Sequence, residues 1–193
     1  MNVLLLGPQG SGKGTQAARI SADYGLAHIA TGDMLRSAMT AGTPLGLQAR
    51  PLYDAGKLVP DGLMIGLIRD RLDDEDAQAG FILDGFPRNM AQAEALDVTL
   101  TEIDRALDVV FVLQVTEEIC LARLLRRAEL EGRVDDQPEA IRTRLALYYE
   151  KTQPLIEYFR VQGKLVGIHA DRSVGRVYAE IQQALDRVSG AAA

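Results

Sequence analysis

The stretch Leu4–Gln16, LLLGPQGSGKGTQ, constrains this chain more than any other. The apolar run over residues 1–6 ends at Gly7, and Gly10, Ser11 and Gly12 follow before Lys13. Apolar residues without polar alternation suit a strand buried on both faces. From Thr15 to Tyr24 small and apolar residues fall at helical spacings, so the glycines sit between a strand and a helix. Such a turn can point successive backbone N–H groups inward as an anion nest, and the helix start adds its own unpaired donors. Lys13 then has the reach for terminal phosphates, and Thr15 offers a hydroxyl to phosphate or to a magnesium shell. The common phosphate loop carries Ser or Thr directly after its lysine. Here Gly14 stands there and the hydroxyl comes one residue late. The loop alone leaves two readings open: a variant phosphate site, or a turn that needs glycine only for its dihedral angles.

The rest of the chain repeats the strand-then-helix order. Leu26–Ile29, Phe81–Leu83, residues 107–115 and the KLVGIHA segment read as further strands. Helices are expected near Leu47–Ala55, after Pro60, over Asn89–Leu96 and from Glu117 to Arg127–Glu131. Thr31 or Asp33 could cap another, which carries Leu35 and Met39. Asp136 can cap a long helix with Glu139 returning the bond, and Pro154 should kink or end it. A helix over Val174–Val188 closes the chain. The expected fold is α/β, three-layered, with a central parallel five-stranded sheet covered on both faces. Residues 31–60 read as a small helical excursion from it.

Composition narrows the function classes. The chain has 193 residues, enough for one sizeable core, and a formal net charge of −6. That charge argues against broad nucleic-acid binding but permits a local basic cleft for phosphorylated small molecules. One cysteine, Cys120, and two histidines, His28 and His169, leave neither a disulfide framework nor a cysteine–histidine zinc cluster. His28 and His169 read as core or edge residues, and Cys120 as a small buried filler. The N-terminal apolar run has no basic leader or cleavage-like site, so a cytoplasmic, non-membrane protein is expected.

Arginine placement discriminates further. Only Lys13, Lys57, Lys151 and Lys164 are lysines among the 21 basic residues. Arg36 falls on the helical excursion, Arg88 follows a strand, and Arg123 and Arg127 share a helix face four residues apart. Arg133 lies in the EGRVDD break and Arg144 on the helix beyond. Planar multi-donor groups at such positions suit polyphosphate recognition, or else surface ion pairs. Asp84, where a strand ends, could position magnesium or accept a capping bond. The EGRVDD break reads as a closing lid hinged at Gly132, or as a polar connection between helices.

Taken in order, GPQGSGKGTQ at 7–16, TGDMLR at 31–36, GKLVPD at 56–61, GFPRNMAQ at 85–92, ARLLRR at 122–127 and GRVDD at 132–136, with Arg144, resemble the adenylate kinases in their short-lid form. The resemblance covers nearly the whole chain. It implies one domain with a core over 1–29, 60–125 and 137–193, an AMP-binding subdomain over 30–59 and a short lid over 126–136. It implies the reaction ATP + AMP = 2 ADP, with magnesium accompanying ATP and a monomer acting on AMP and ADP.

By the same resemblance Gly10, Ser11, Gly12, Lys13, Gly14 and Thr15 hold the donor phosphates, with Arg123, Arg127 and Arg172 on the donor side. Thr31, Arg36, Lys57, Leu58, Val59, Gly85, Phe86, Pro87, Arg88 and Gln92 form the acceptor side. Lys13, Arg88, Arg123, Arg133 and Arg144 surround the transferred group, and Arg133 and Arg144 also meet the AMP phosphate. No direct protein ligand for magnesium is implied, only Thr15 and Asp84 nearby.

Three positions depart from the family pattern. Asn89 is more familiar in the UMP/CMP kinases, which makes a kinase of that kind the rival expectation. Ala128 replaces a common glycine, and Arg172 stands where short forms carry glycine, so it should point outward or stack over the donor base. A nucleotide hydrolase or switch of the GTPase kind is a further rival, without an NKxD guanine motif to support it.

Overall fold

The computed structural model describes residues 1–131 and 137–191. Gly132, Arg133 and Asp136, named above as hinge, catalytic arginine and cap, lie outside the described residues. Strands β1 (Asn2–Leu6), β2 (Ala27–Ala30), β3 (Phe81–Asp84), β4 (Val109–Gln114) and β5 (Leu165–His169) form one sheet in the order β2-β3-β1-β4-β5. All pairings are parallel; Leu4 aligns with Leu83 on one side and Val110 on the other.

Strand alternation sorts the core into two layers. Leu4, Leu6, Leu83, Val110 and Val112 face one way. There they meet α2 (Thr31–Thr40), α3 (Pro44–Asp54), α4 (Asp61–Asp73), α5 (Met90–Glu102) and, past α6 (Glu117–Glu131) and α7 (Pro138–Leu147), α8 (Leu155–Val161). Val3, Leu5, Ile82, Phe111 and Ile168 face the other way, against α1 (Lys13–Tyr24) and α9 (Val174–Ala191). Because both faces of each central strand are buried, the strands read as continuous apolar runs. The three-layer α/β expectation holds. Cys120 is fully buried in a smaller cluster with Leu124, Ile141 and Leu145 between α6 and α7.

Local starts and stops differ from expectation where side chains had other partners. Thr31 and Asp33 do not cap α2; Ala30 occupies the cap position without a side-chain bond, and Thr31 is already helical. The Thr31 hydroxyl instead donates to the Asp84 carbonyl oxygen at 3.3 Å, joining the ends of β2 and β3. Helix α3 starts earlier than expected because Thr43 accepts from the Gly46 N–H and Pro44 fills the first helical position. Helix α7 begins at Pro138 behind Gln137. After it a π-helical turn, Tyr148–Thr152, precedes Pro154, which starts α8. Pro154 cannot donate to the preceding turn, so the helix is interrupted there, as expected.

Candidate active site

In an open parallel sheet, ligands bind beyond the carboxyl ends of the strands where the strand order reverses. Here β1 leads to β2 on one side, while β4 continues the sheet on the other. A cleft of about 680 Å³ opens at that point. The loop after β1, the end of β3, the starts of α1 and α2, and residues from α6, α7 and the β5–α9 connection line it. Pockets of this size suit a nucleotide-sized ligand.

The glycine loop forms the floor. Gly12, in a left-handed conformation, caps α1, which begins at Lys13. Gly10 has φ of 82° and lies so close to α6 that a Cβ would sit 2.6 Å from the Cys120 carbonyl oxygen. The Lys13 ammonium folds back onto the loop, donating to the Gly7 carbonyl at 2.7 Å and the Pro8 carbonyl at 2.9 Å. Burial pulls the pKa of Lys13 down to about 8, against the opposing pull of the Asp84 negative charge.

Asp84 is the counterpart of that lysine. Burial opposes its ionisation, but His28, Lys13 and Arg88 outweigh burial and hold its carboxyl below the usual carboxylate range. The His28 Nε2 lies 3.7 Å from Asp84 Oδ2, too long for a hydrogen bond, so its influence is electrostatic. His28 therefore belongs to the cleft wall as well as to β2, a role that its apolar surroundings in the sequence concealed. Gly14 faces the same carboxylate: a Cβ there would stand 3.4 Å from Asp84 Oδ2. A side chain there would stand in van der Waals contact with that carboxylate, and Thr15 follows on the cleft wall.

The arginines divide by what they touch. Arg123 donates to the Ala170 carbonyl at 2.9 Å, to Ser11 at 3.3 Å and to Gly10 at 3.4 Å. It ties the glycine loop to the end of β5 while lining the cleft. Arg127, Arg144 and Arg88 line the same cleft, with Arg144 buried on α7. Arg36 donates to the Tyr53 hydroxyl and the Asp33 carboxylate, linking α2 to α3 at the rim. Arg172 also lines the cleft, with its guanidinium 3.3 Å from a Glu180 carboxylate oxygen on α9.

A second, narrower pocket adjoins the first. Lys57, Leu58, Val59, Gly85, Arg88 and Gln92 line it with Leu35, Tyr53 and Met64. At about 20 Å³ it holds a water or two, less than any nucleobase. Gly85 and Arg88 line both pockets and stand where they meet, with Arg88 Nε donating to the Gly85 carbonyl at 2.7 Å. Pro87 lines the large cleft; the Phe86–Pro87 peptide is cis. Two expected site residues are not on either wall: Phe86 is buried in the core, and Thr31 is fully buried behind the β3 end. Nothing local in the sequence marks Tyr53, because neither a tyrosine on a helix nor its arginine partner seventeen residues earlier forms a pattern.

A sequence model of the adenylate kinase family matches residues 5–164. An adenylate kinase of Xanthomonas campestris pv. campestris (strain 8004) is 46% identical over 187 residues, covering 97% of this chain and 100% of that protein. An adenylate kinase of Stenotrophomonas maltophilia (strain R551-3) is 45% identical over 185 residues, covering 96% of this chain and 99% of that protein. The likeness thus runs through the glycine loop, the strand ends and both pockets, and the chain belongs to the adenylate kinase family.

Proposed function

We propose that the two pockets divide the work of an adenylate kinase, the reversible transfer of a phosphoryl group between ATP and AMP that yields two ADP. The meeting of the pockets at Arg88 carries this reading: a donor held on the glycine loop and an acceptor in the narrow pocket both present phosphate to one guanidinium. Phosphoryl transfer asks for positioning and charge compensation more than for a protein nucleophile. Lys13 supplies charge by exchanging the Gly7 and Pro8 carbonyls for donor phosphate oxygens. Arg127 joins it on the donor side and Arg144 with Arg36 on the acceptor side, while Arg123 holds the loop in shape. Arg172, steadied by Glu180, borders the donor base. The segment 126–136 serves as the lid that brings Arg133 in and excludes water, and residues 30–59 serve as the AMP-binding subdomain.

Among the described residues no group of three or more His, Cys, Asp or Glu could hold a metal by itself. A magnesium ion carried in by the triphosphate would have the ionised Asp84 and the Thr15 hydroxyl nearby on the cleft wall. When bound, magnesium offsets the charge of the donor phosphates. No described helix is long and apolar enough to cross a membrane. A cytoplasmic monomer is the form we propose. Arg88→Ala tests the assignment: transfer should fall by at least about a hundredfold, the scale of one lost charge-stabilising group, with the thermal midpoint nearly unchanged. Equal loss of rate and stability contradicts it.

A further inference from the structure

Gln92 sits in a ring of hydrogen bonds that leaves its side-chain amide one orientation. Its Nε2 donates to Asp61 Oδ1 at 2.7 Å, and its Oε1 accepts from the Arg88 backbone N–H at 2.8 Å. Asn89 closes the ring: its Nδ2 donates to the same Asp61 oxygen at 2.9 Å, and its Oδ1 accepts from the Gln92 backbone N–H at 2.9 Å. A carboxylate only accepts and a backbone N–H only donates. Turning the Gln92 amide over would set oxygen against oxygen at Asp61 and donor against donor at Arg88. With Gln92 buried at the narrow pocket, that exchange is costly.

The lock has a chemical consequence, which rests on the reading of the narrow pocket as the acceptor-base site. One Nε2–H and one Oε1 lone pair remain to meet a ligand. A 6-aminopurine offers a ring-nitrogen acceptor beside an amine donor; a 6-oxopurine offers the reverse, N–H beside a carbonyl. A freely turning amide would serve either edge, and a fixed amide serves one.

We infer that Asp61, with Asn89, is a positioning residue that makes the acceptor site selective for an amino-bearing base edge over an oxo-bearing one. Asp61 touches no reacting atom; it acts through Gln92. The same ring gives Asn89 two tasks, capping α5 and bracing Asp61. Its presence therefore serves amine selection here, which an adenine edge satisfies and a uracil edge does not.

The test compares AMP with inosine monophosphate, which differ at this edge, in full steady-state kinetics with MgATP. In Asp61→Leu the AMP-over-IMP ratio of kcat/KM should fall by at least about tenfold, the scale of one misdirected hydrogen bond, with the ATP KM unchanged. Asp61→Asn keeps an acceptor oxygen and should retain most of the ratio; Asn89→Ser keeps the cap and should lose part of it. These two variants decide the matter even where Asp61→Leu folds poorly. An unchanged ratio in all variants, with AMP and IMP falling together, overturns the lock. Gln92→Ala separates the two claims. If it leaves the AMP KM unchanged, the base-recognition reading fails. If it raises that KM while the Asp61 variants keep the ratio, the lock alone fails.

Discussion

Arg123 on α6 holds the Ala170 carbonyl oxygen beyond β5 at 2.9 Å while its other terminal nitrogen reaches the Gly10 and Ser11 carbonyls. One guanidinium thus ties a strand end to the phosphate loop across more than 110 residues of chain. Its planar fork of donors makes this possible, and a lysine has no equivalent geometry.

Arg123→Ala should therefore raise the ATP KM by roughly ten- to a hundredfold, because a loop with unpaired carbonyls no longer presents its N–H groups inward. It should also lower the thermal midpoint. Arg123→Lys should recover little of either. Calorimetry and initial rates check both; a raised KM with an unaltered midpoint would assign Arg123 to ligand contact alone.

The Lys13 ammonium gives a pH dependence. Its pKa is pulled down by burial to about 8, and the charged form is the one that binds phosphate. Above that pH the free enzyme holds a growing fraction of neutral lysine, so kcat/KM for ATP should fall with an apparent pKa of about 8. Bound phosphates favour the cation, so kcat should hold to higher pH. A pH profile with both parameters tests this; parallel alkaline limbs, or no limb in kcat/KM, would contradict the account.

Gly14 and Gly10 should respond differently to a methyl group. Gly14 lies on the first turn of α1, and its Cβ would meet only Asp84 Oδ2, at 3.4 Å. Gly14→Ala should leave stability unchanged or raise it by up to about 1 kcal/mol. Its methyl would stand at contact distance from the Asp84 carboxylate and should lower transfer modestly, by crowding the solvent and ion shell of that oxygen. Gly10→Ala, with positive φ and the Cys120 carbonyl 2.6 Å away, should lose about 1–3 kcal/mol. Urea midpoints and rates measured together distinguish the pair; an unaffected rate in Gly14→Ala removes the role given to that approach.

The layer architecture was legible because each central strand is apolar on both faces and ends in glycine or a charged residue, as at Gly7 and Asp84. Helix existence was legible from spacing; helix starts were less so. Thr31 had the residue type of a cap but spent its hydroxyl on a strand end. Thr43–Pro44, a sound start signal, lies ahead of the apolar spacing that marks Leu47–Ala55 as helical. Within the site, the cleft-lining arginines could be identified from their segments. The hydrogen-bond partners that fix Arg123 and Gln92 could not, because they lie far along the chain, at Ala170 and Asp61. The bond from Asn89 to Asp61 was equally hidden, since the two stand on different elements far apart in the chain.

The most direct test of the account is one panel of initial rates with MgATP against AMP, CMP and UMP, scored by ADP formation. AMP should be the preferred acceptor by at least about tenfold in kcat/KM: UMP presents the oxo-bearing edge that the fixed Gln92 amide turns away, and CMP, which shares the amino-bearing edge, separates an adenylate kinase from a pyrimidine kinase. CMP or UMP equal to or better than AMP, or ATP hydrolysis without transfer to any of the three, would contradict it.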